Sequence, residues 1–136
     1  AARFLSPRQA EAVDTGSILR LLSSPLGRRI MSADARKREF KFSLLCPAEK
    51  FFPGGEGESV LMQGVIDCMI AEAGELTIID YKTDRVRGEE TAERAQTYSK
   101  QLEAYAYAAQ RMTGKPVREC VLYFLYSGET VKSSCK

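Results

Sequence analysis

Residues 60–83 constrain the fold more than any other stretch, because two apolar runs, 60–70 and 76–83, flank a turn at Ala73-Gly74. Runs of this length bounded by turn residues read as an antiparallel β-hairpin. A turn centred between Ala73 and Gly74 sets Asp67 directly opposite Asp80. A two-residue loop and a four-residue loop over 72–75 both give that register. The four-residue loop is favoured, since alanine tolerates a positive φ poorly.

The flanking segments predict the rest of one α/β domain over residues 1–136. Ser6, Pro7 and Gln9 form a capping-box pattern for a first short helix; Ile18, Leu19, Leu21 and Leu22 make a second apolar helical face. Ser24-Pro25 starts a third helix carrying Leu26 and Ile30, so residues 1–35 read as a helical lead-in. Over 37–46 the period becomes two, with Arg38, Phe40, Phe42, Leu44 and Cys46 alternating with Lys37, Glu39, Lys41, Ser43 and Leu45. That is a strand with one mostly polar face, and Pro53-Gly54-Gly55 marks a flexible loop after it. Ala95, Tyr98, Leu102, Tyr105, Ala106, Ala109 and Met112 recur at helical spacing over 91–113, where Gly114 and Pro116 stop the helix. Residues 117–126 are apolar nearly throughout, as in a strand covered on both faces, before a turn at Ser127-Gly128. The core over 36–132 is therefore three strands, a long helix and another strand.

The hairpin also carries the chemistry. Directly opposed side chains on one face have Cβ atoms about 4.5 to 5.5 Å apart, where two carboxylates repel unless a positive group lies between them. A divalent cation meets that need, and carboxylate oxygens at roughly 2.1 Å suit magnesium. Strand periodicity puts Lys82 on the face of Asp80, about 6.6 Å further along, within reach of a phosphate or an attacking water. Together these supply what phosphodiester hydrolysis requires: a metal that activates water, and a cation for the developing charge. Alone, Asp80 would read as a strand-end residue and Lys82 as a snorkelling surface lysine. Asp67 argues otherwise, because an acid inside the run Gly64-Val65-Ile66-Asp67-Cys68-Met69-Ile70 is costly unless paired or metal-bound.

Composition narrows the options. The sequence has no histidine, so catalysis must rest on carboxylates, lysine and metal. The formal net charge of +2 neither supports nor excludes DNA. Cys46, Cys68, Cys120 and Cys135 are scattered without a Cys-x-x-Cys pair, which favours buried thiols in a reducing cytoplasm. No run is long enough to span a membrane and no signal-peptide core is present, so a soluble cytoplasmic location is expected.

At these residues the sequence resembles the PD-(D/E)xK nuclease superfamily, in particular its RecB-type branch. Gln63-Gly64-Val65-Ile66-Asp67 is similar to the branch's Gly-Ile/Val-Ile-Asp element, and Ile79-Asp80-Tyr81-Lys82-Thr83-Asp84 to its Asp-Tyr-Lys-Thr. Gln101-Leu102-Glu103-Ala104-Tyr105 is similar to the branch's Gln-x-x-x-Tyr motif, whose spacing sets Gln101 and Tyr105 on one helix face. From Arg38-Glu39-Phe40 through Leu122-Tyr123-Phe124 the order looks most like the C-terminal nuclease domains of the AddA (RexA) family of helicase-nuclease subunits.

The resemblance implies a restriction-endonuclease-like αβββαβ core with a mixed central sheet flanked by helices. It implies Asp67 and Asp80 as ligands of Mg2+, with Mn2+ as a substitute, the Tyr81 carbonyl completing the sphere, and Lys82 as catalytic. DNA would be the substrate, and an AddAB/RexAB-type partner subunit would join the longer protein in processing double-strand breaks. The family places a metal-binding histidine on an upstream helix, and this sequence has none. The expectation is a fragment of a much longer helicase-nuclease, beginning after that helix, that binds magnesium weakly and cuts poorly by itself. No Gly-x-x-x-x-Gly-Lys-Ser/Thr loop occurs, so ATP hydrolysis would belong elsewhere in the longer protein.

Glu39 has two evenly matched readings, a water-mediated approach to the metal or a surface residue paired with a lysine. Arg28, Arg29, Arg36, Lys37, Arg38, Lys41, Arg85 and Arg87 offer phosphate contacts, although charged runs are more often solvated faces. Two other functions compete: a nuclease-like DNA-binding or subunit-docking module without activity, and a stand-alone RecB-like or CRISPR-associated exonuclease. The latter often carries a cysteine-bound iron-sulfur cluster, which these cysteines do not suggest.

Overall fold

The computed structural model describes residues 15–134, so the expected helix at Ser6 and the thiol of Cys135 lie outside the described residues. The chain runs α1 (Thr15–Ser23), α2 (Pro25–Ser32), β1 (Ala35–Pro47), a 3-10 turn (Ala48–Lys50), β2 (Ser59–Glu72), β3 (Glu75–Lys82), α3 (Glu89–Thr97), α4 (Ser99–Thr113), β4 (Val117–Phe124) and β5 (Glu129–Ser134). The strands form one sheet in the order β1-β2-β3-β4-β5, with β3 and β4 parallel and the other neighbours antiparallel. The expected mixed sheet is thus present.

Local chemistry sets several boundaries. Ser24 Oγ accepts the Gly27 N–H at 3.0 Å and Pro25 occupies the first turn, which starts α2. Gly114, at φ +74°, ends α4 by donating its N–H to the Gln110 carbonyl. The hairpin register is the expected one, with Cys68↔Ile79 and Glu72↔Glu75 among its pairs. Its loop is not. Glu72 pairs with Glu75, leaving only Ala73 (φ +50°) and Gly74 (φ +81°) in the turn. Two left-handed residues match the twist of the flanking strands, and closing the ladder outweighs the cost of about 1 kcal/mol at alanine.

The expected single helix over 91–113 is two, broken at Tyr98 (φ −98°, ψ 0°). Apolar spacing continues across that break and hides it. The fifth strand was also not expected, because Glu129–Ser134 is short and polar; β4 supplies its pairing.

Apolar residues cover both faces of the sheet. On one, Ile66, Met69, Ile78, Leu122 and Phe124 pack with Ala95, Leu102, Ala108 and Ala109 of α3 and α4. On the other, Cys68, Ile70, Ile79, Tyr81 and Tyr123 pack with Leu21, Leu26 and Ile30 of α1 and α2. No helix among the described residues is long and apolar enough to cross a membrane.

Candidate active site

The site begins where strand alternation fails. Ile66 shares a core with Met69 and Ala71, whereas Cys68 and Ile70 lie in the opposite core, so β2 changes phase across Asp67. A period of two would have kept Ile66 and Cys68 together. The β1–β2 ladder skips the same point, passing from Arg38↔Cys68 to Phe40↔Ile66, and the residue skipped on β1 is Glu39 at φ +51°. The β2–β3 ladder ends at Cys68↔Ile79. Beyond it Asp67 Oδ2 accepts the Tyr81 N–H at 2.9 Å, doing with a side chain what a strand carbonyl does elsewhere.

Asp80 follows Ile78 on β3 and is only 4% exposed. Burial pushes its carboxyl up to about 7, helped by a hydrogen bond and charge repulsion from Asp67, while Lys82 pulls the other way. The two carboxylates therefore meet, as the register requires. Lys82 Nζ lies 2.7 Å from Asp80 Oδ2, so a single ammonium serves a site that holds two carboxylates. A buried carboxylate beside a second one, with only one lysine between them, suits a hard divalent cation. Among the described residues no group of three or more acidic or cysteine side chains gathers as a metal site.

Helix α4 completes the site. Gln101 Oε1 accepts from Lys82 Nζ at 2.9 Å, and Gln101 Nε2 donates to Tyr105 Oη at 3.2 Å. Tyr105 reaches this position over Gly64, where a Cβ would come within 2.8 Å of Phe42 and 3.4 Å of Tyr105. The same gap admits the edge-on Phe42–Tyr105 contact, with centroids 5.8 Å apart. Burial, together with the charges of Asp80 and Asp67, pushes the Tyr105 phenol up to about 12. It stays protonated near neutrality.

Asp67, Asp80, Lys82, Gln101 and Tyr105 are thus brought together. Tyr81 adds its amide, while its ring lies in the opposite core near Cys68. Glu39 is exposed and marks the strand break. Several basic residues have structural contacts: Arg29 pairs with Glu72 and Glu119, Arg28 donates to the Ser23 carbonyl, Arg36 to those of Ile30 and Met31. Cys46, Cys68 and Cys120 are buried and outside any disulfide. Sequence reading missed Tyr98, whose ring lies 3.9 Å from Lys82 Nζ, and Asp84, which holds the Tyr98 hydroxyl. Tyr98 sits three residues before Gln101, on the same side of the helix, and that spacing was the available signal.

The family model for the PD-(D/E)XK nuclease superfamily matches residues 3–134. An ATP-dependent helicase/nuclease subunit from Carboxydothermus hydrogenoformans is 41% identical over 123 residues, 89% of this chain and 10% of the relative. The proteins of the same description from Desulforudis audaxviator and Acetivibrio thermocellus are 39% identical over 128 residues and 35% over 130, each covering 92% of this chain and 10% of the relative. The chain therefore spans about a tenth of the length of the curated relatives it matches. A solved protein titled "Crystal structure of SSO0001" matches with a TM-score of 0.48 at 17% identity, over 85% of this chain and 47% of that one, too distant to bear on the site. With its family model spanning nearly the whole sequence and its two strand aspartates meeting beside a lysine, the chain belongs to the PD-(D/E)XK nuclease superfamily.

Proposed function

We propose that this domain is the metal-dependent DNA exonuclease of an ATP-dependent helicase-nuclease that processes double-strand breaks for recombination and repair, working with a partner subunit. One observation carries the reading: two carboxylates, one of them almost wholly buried, converge with a single lysine alongside. Asp67 and Asp80 would hold Mg2+ or Mn2+, with the Tyr81 carbonyl as a further oxygen. When bound, the metal activates water and polarises a phosphoryl oxygen. Lys82 offers its ammonium to charge developing on the phosphate. Gln101 accepts one Lys82 proton, fixing the direction of the remaining two, and is itself steadied by Tyr105. Two side-chain ligands make a loose magnesium site, so this chain alone binds the ion weakly.

The test uses the full-length helicase-nuclease carrying this domain. Asp80→Ala and Lys82→Ala should each abolish DNA cutting while DNA-stimulated ATP hydrolysis persists. Undiminished cutting by either variant would falsify the site assignment.

A further inference from the structure

Lys82 Nζ has three neighbours: Asp80 Oδ2 at 2.7 Å, Gln101 Oε1 at 2.9 Å and the centroid of the Tyr98 ring at 3.9 Å. They differ in what happens when the site is used. A cation arriving at Asp80 competes for the oxygen that pairs with Lys82, and a phosphate competes for the ammonium itself. The ring does neither, because an aromatic face attracts the cation without occupying a proton and cannot be taken by a metal.

The ring is also held from behind. Tyr98 Oη donates to the Asp84 carboxylate, at 2.8 Å from one oxygen and 3.0 Å from the other, and Arg94 donates to Asp84 Oδ2 at 2.7 Å. Burial alone would push the Asp84 carboxyl up, but the bonds from Tyr98 and Arg94 outweigh it and hold the acid below its ordinary value. Asp84 follows Lys82 by two residues at the exit of β3, and Tyr98 occupies the corner between α3 and α4. The corner is therefore tied to the strand that carries the lysine. Tyr98 faces Lys82 from a bend fixed at both ends rather than from a continuous helix.

From this geometry we propose that Tyr98 is a positioning residue: its ring face keeps the Lys82 ammonium over the site once Asp80 is occupied. The proposal rests on the reading that Lys82 serves phosphodiester cleavage.

Two measurements test it, each with tyrosine, phenylalanine or pentafluorophenylalanine at position 98. The fluorinated ring keeps the shape of phenylalanine but reverses the polarity of its face, so packing is retained while attraction for a cation is lost. In this chain carrying Asp80→Asn, which removes the carboxylate that otherwise holds the ammonium, the ε-methylene resonance of Lys82 should lie upfield of that of a solvent-exposed lysine with tyrosine or phenylalanine at position 98, and move back toward it with the fluorinated ring. In the full-length nuclease, the fluorinated protein should lose about tenfold in kcat relative to Tyr98→Phe with KM unchanged, the range expected of a partly buried cation–π contact. Equal resonances and equal turnover in those two proteins would overturn the proposal. So would Tyr98→Phe failing as badly as the fluorinated protein, which would assign the effect to the Asp84 tether. If instead Lys82→Ala cuts normally while the resonance moves with the ring, the contact is real, the catalytic reading of Lys82 fails, and the positioning role fails with it.

Discussion

The two ends of the β2–β3 hairpin carry charged clusters of opposite character. At the turn, the Glu72 carboxylate is met by Arg29 at 2.7 Å and Arg118 at 3.1 Å, and Arg29 also pairs with Glu119 at 2.8 Å. The Arg29 hydrogen bond, followed by charge attraction from both arginines, outweighs burial and holds the Glu72 carboxyl below its ordinary range. At the far end two carboxylates face one lysine, and the Asp80 carboxyl is pushed up to about 7. The first cluster is saturated with donors and ties α2, the hairpin and β4 together. The second lacks a positive charge it could use. Balanced ion pairs serve the fold; two carboxylates crowded on one lysine invite a further cation.

The largest expected effect separates the two clusters by function. Asp80→Ala should lower DNA cleavage by at least about 100-fold, whereas Glu72→Ala should leave it within a fewfold in protein that remains folded. Equal losses in both, measured as kcat per folded molecule, would erase the distinction.

Next in size is a stability difference that depends on pH. Between about pH 4 and pH 7 folded Asp80 retains a proton that the unfolded chain has released, so its penalty is absent at low pH and grows until both states are ionised. Metal-free Asp80→Asn should match wild type near pH 4 and exceed it by about 2 kcal/mol at pH 8, in urea denaturation. A constant difference across that range would place the burden elsewhere. Glu72→Ala should do the reverse at the turn end, costing about 1–2 kcal/mol at pH 7, because it removes the carboxylate that Arg118 pairs with and leaves Arg29 with one carboxylate. The smallest effect belongs to the loop between Glu72 and Glu75. Ala73→Gly should raise stability by about 0.5–1 kcal/mol by relieving its positive φ, and a loss would show that the alanine methyl makes a contact worth more than the strain.

Much of this could be read from the sequence, for identifiable reasons. Turn position and period two gave the register that brings Asp67 to Asp80, and i, i+4 spacing gave the Gln101–Tyr105 pair. What stayed hidden depends on tertiary contacts. The helix break at Tyr98 falls inside unbroken apolar spacing, and the tie to Asp84 that accompanies it joins residues 14 positions apart. Polar β5 exists because β4 offers an edge. The phase change at Glu39 and Asp67 carries no glycine or proline to announce it.

Asp67 carries a further consequence for telling working members of such a family from silent ones. Its carboxylate stands in for a backbone acceptor, satisfying the Tyr81 amide where β2 has parted from β3. A descendant that had abandoned cutting would still need that acceptor for its sheet to close. An aspartate at position 67 therefore testifies to the architecture, whereas on the proposed reading positions 80 and 82 testify to the trade.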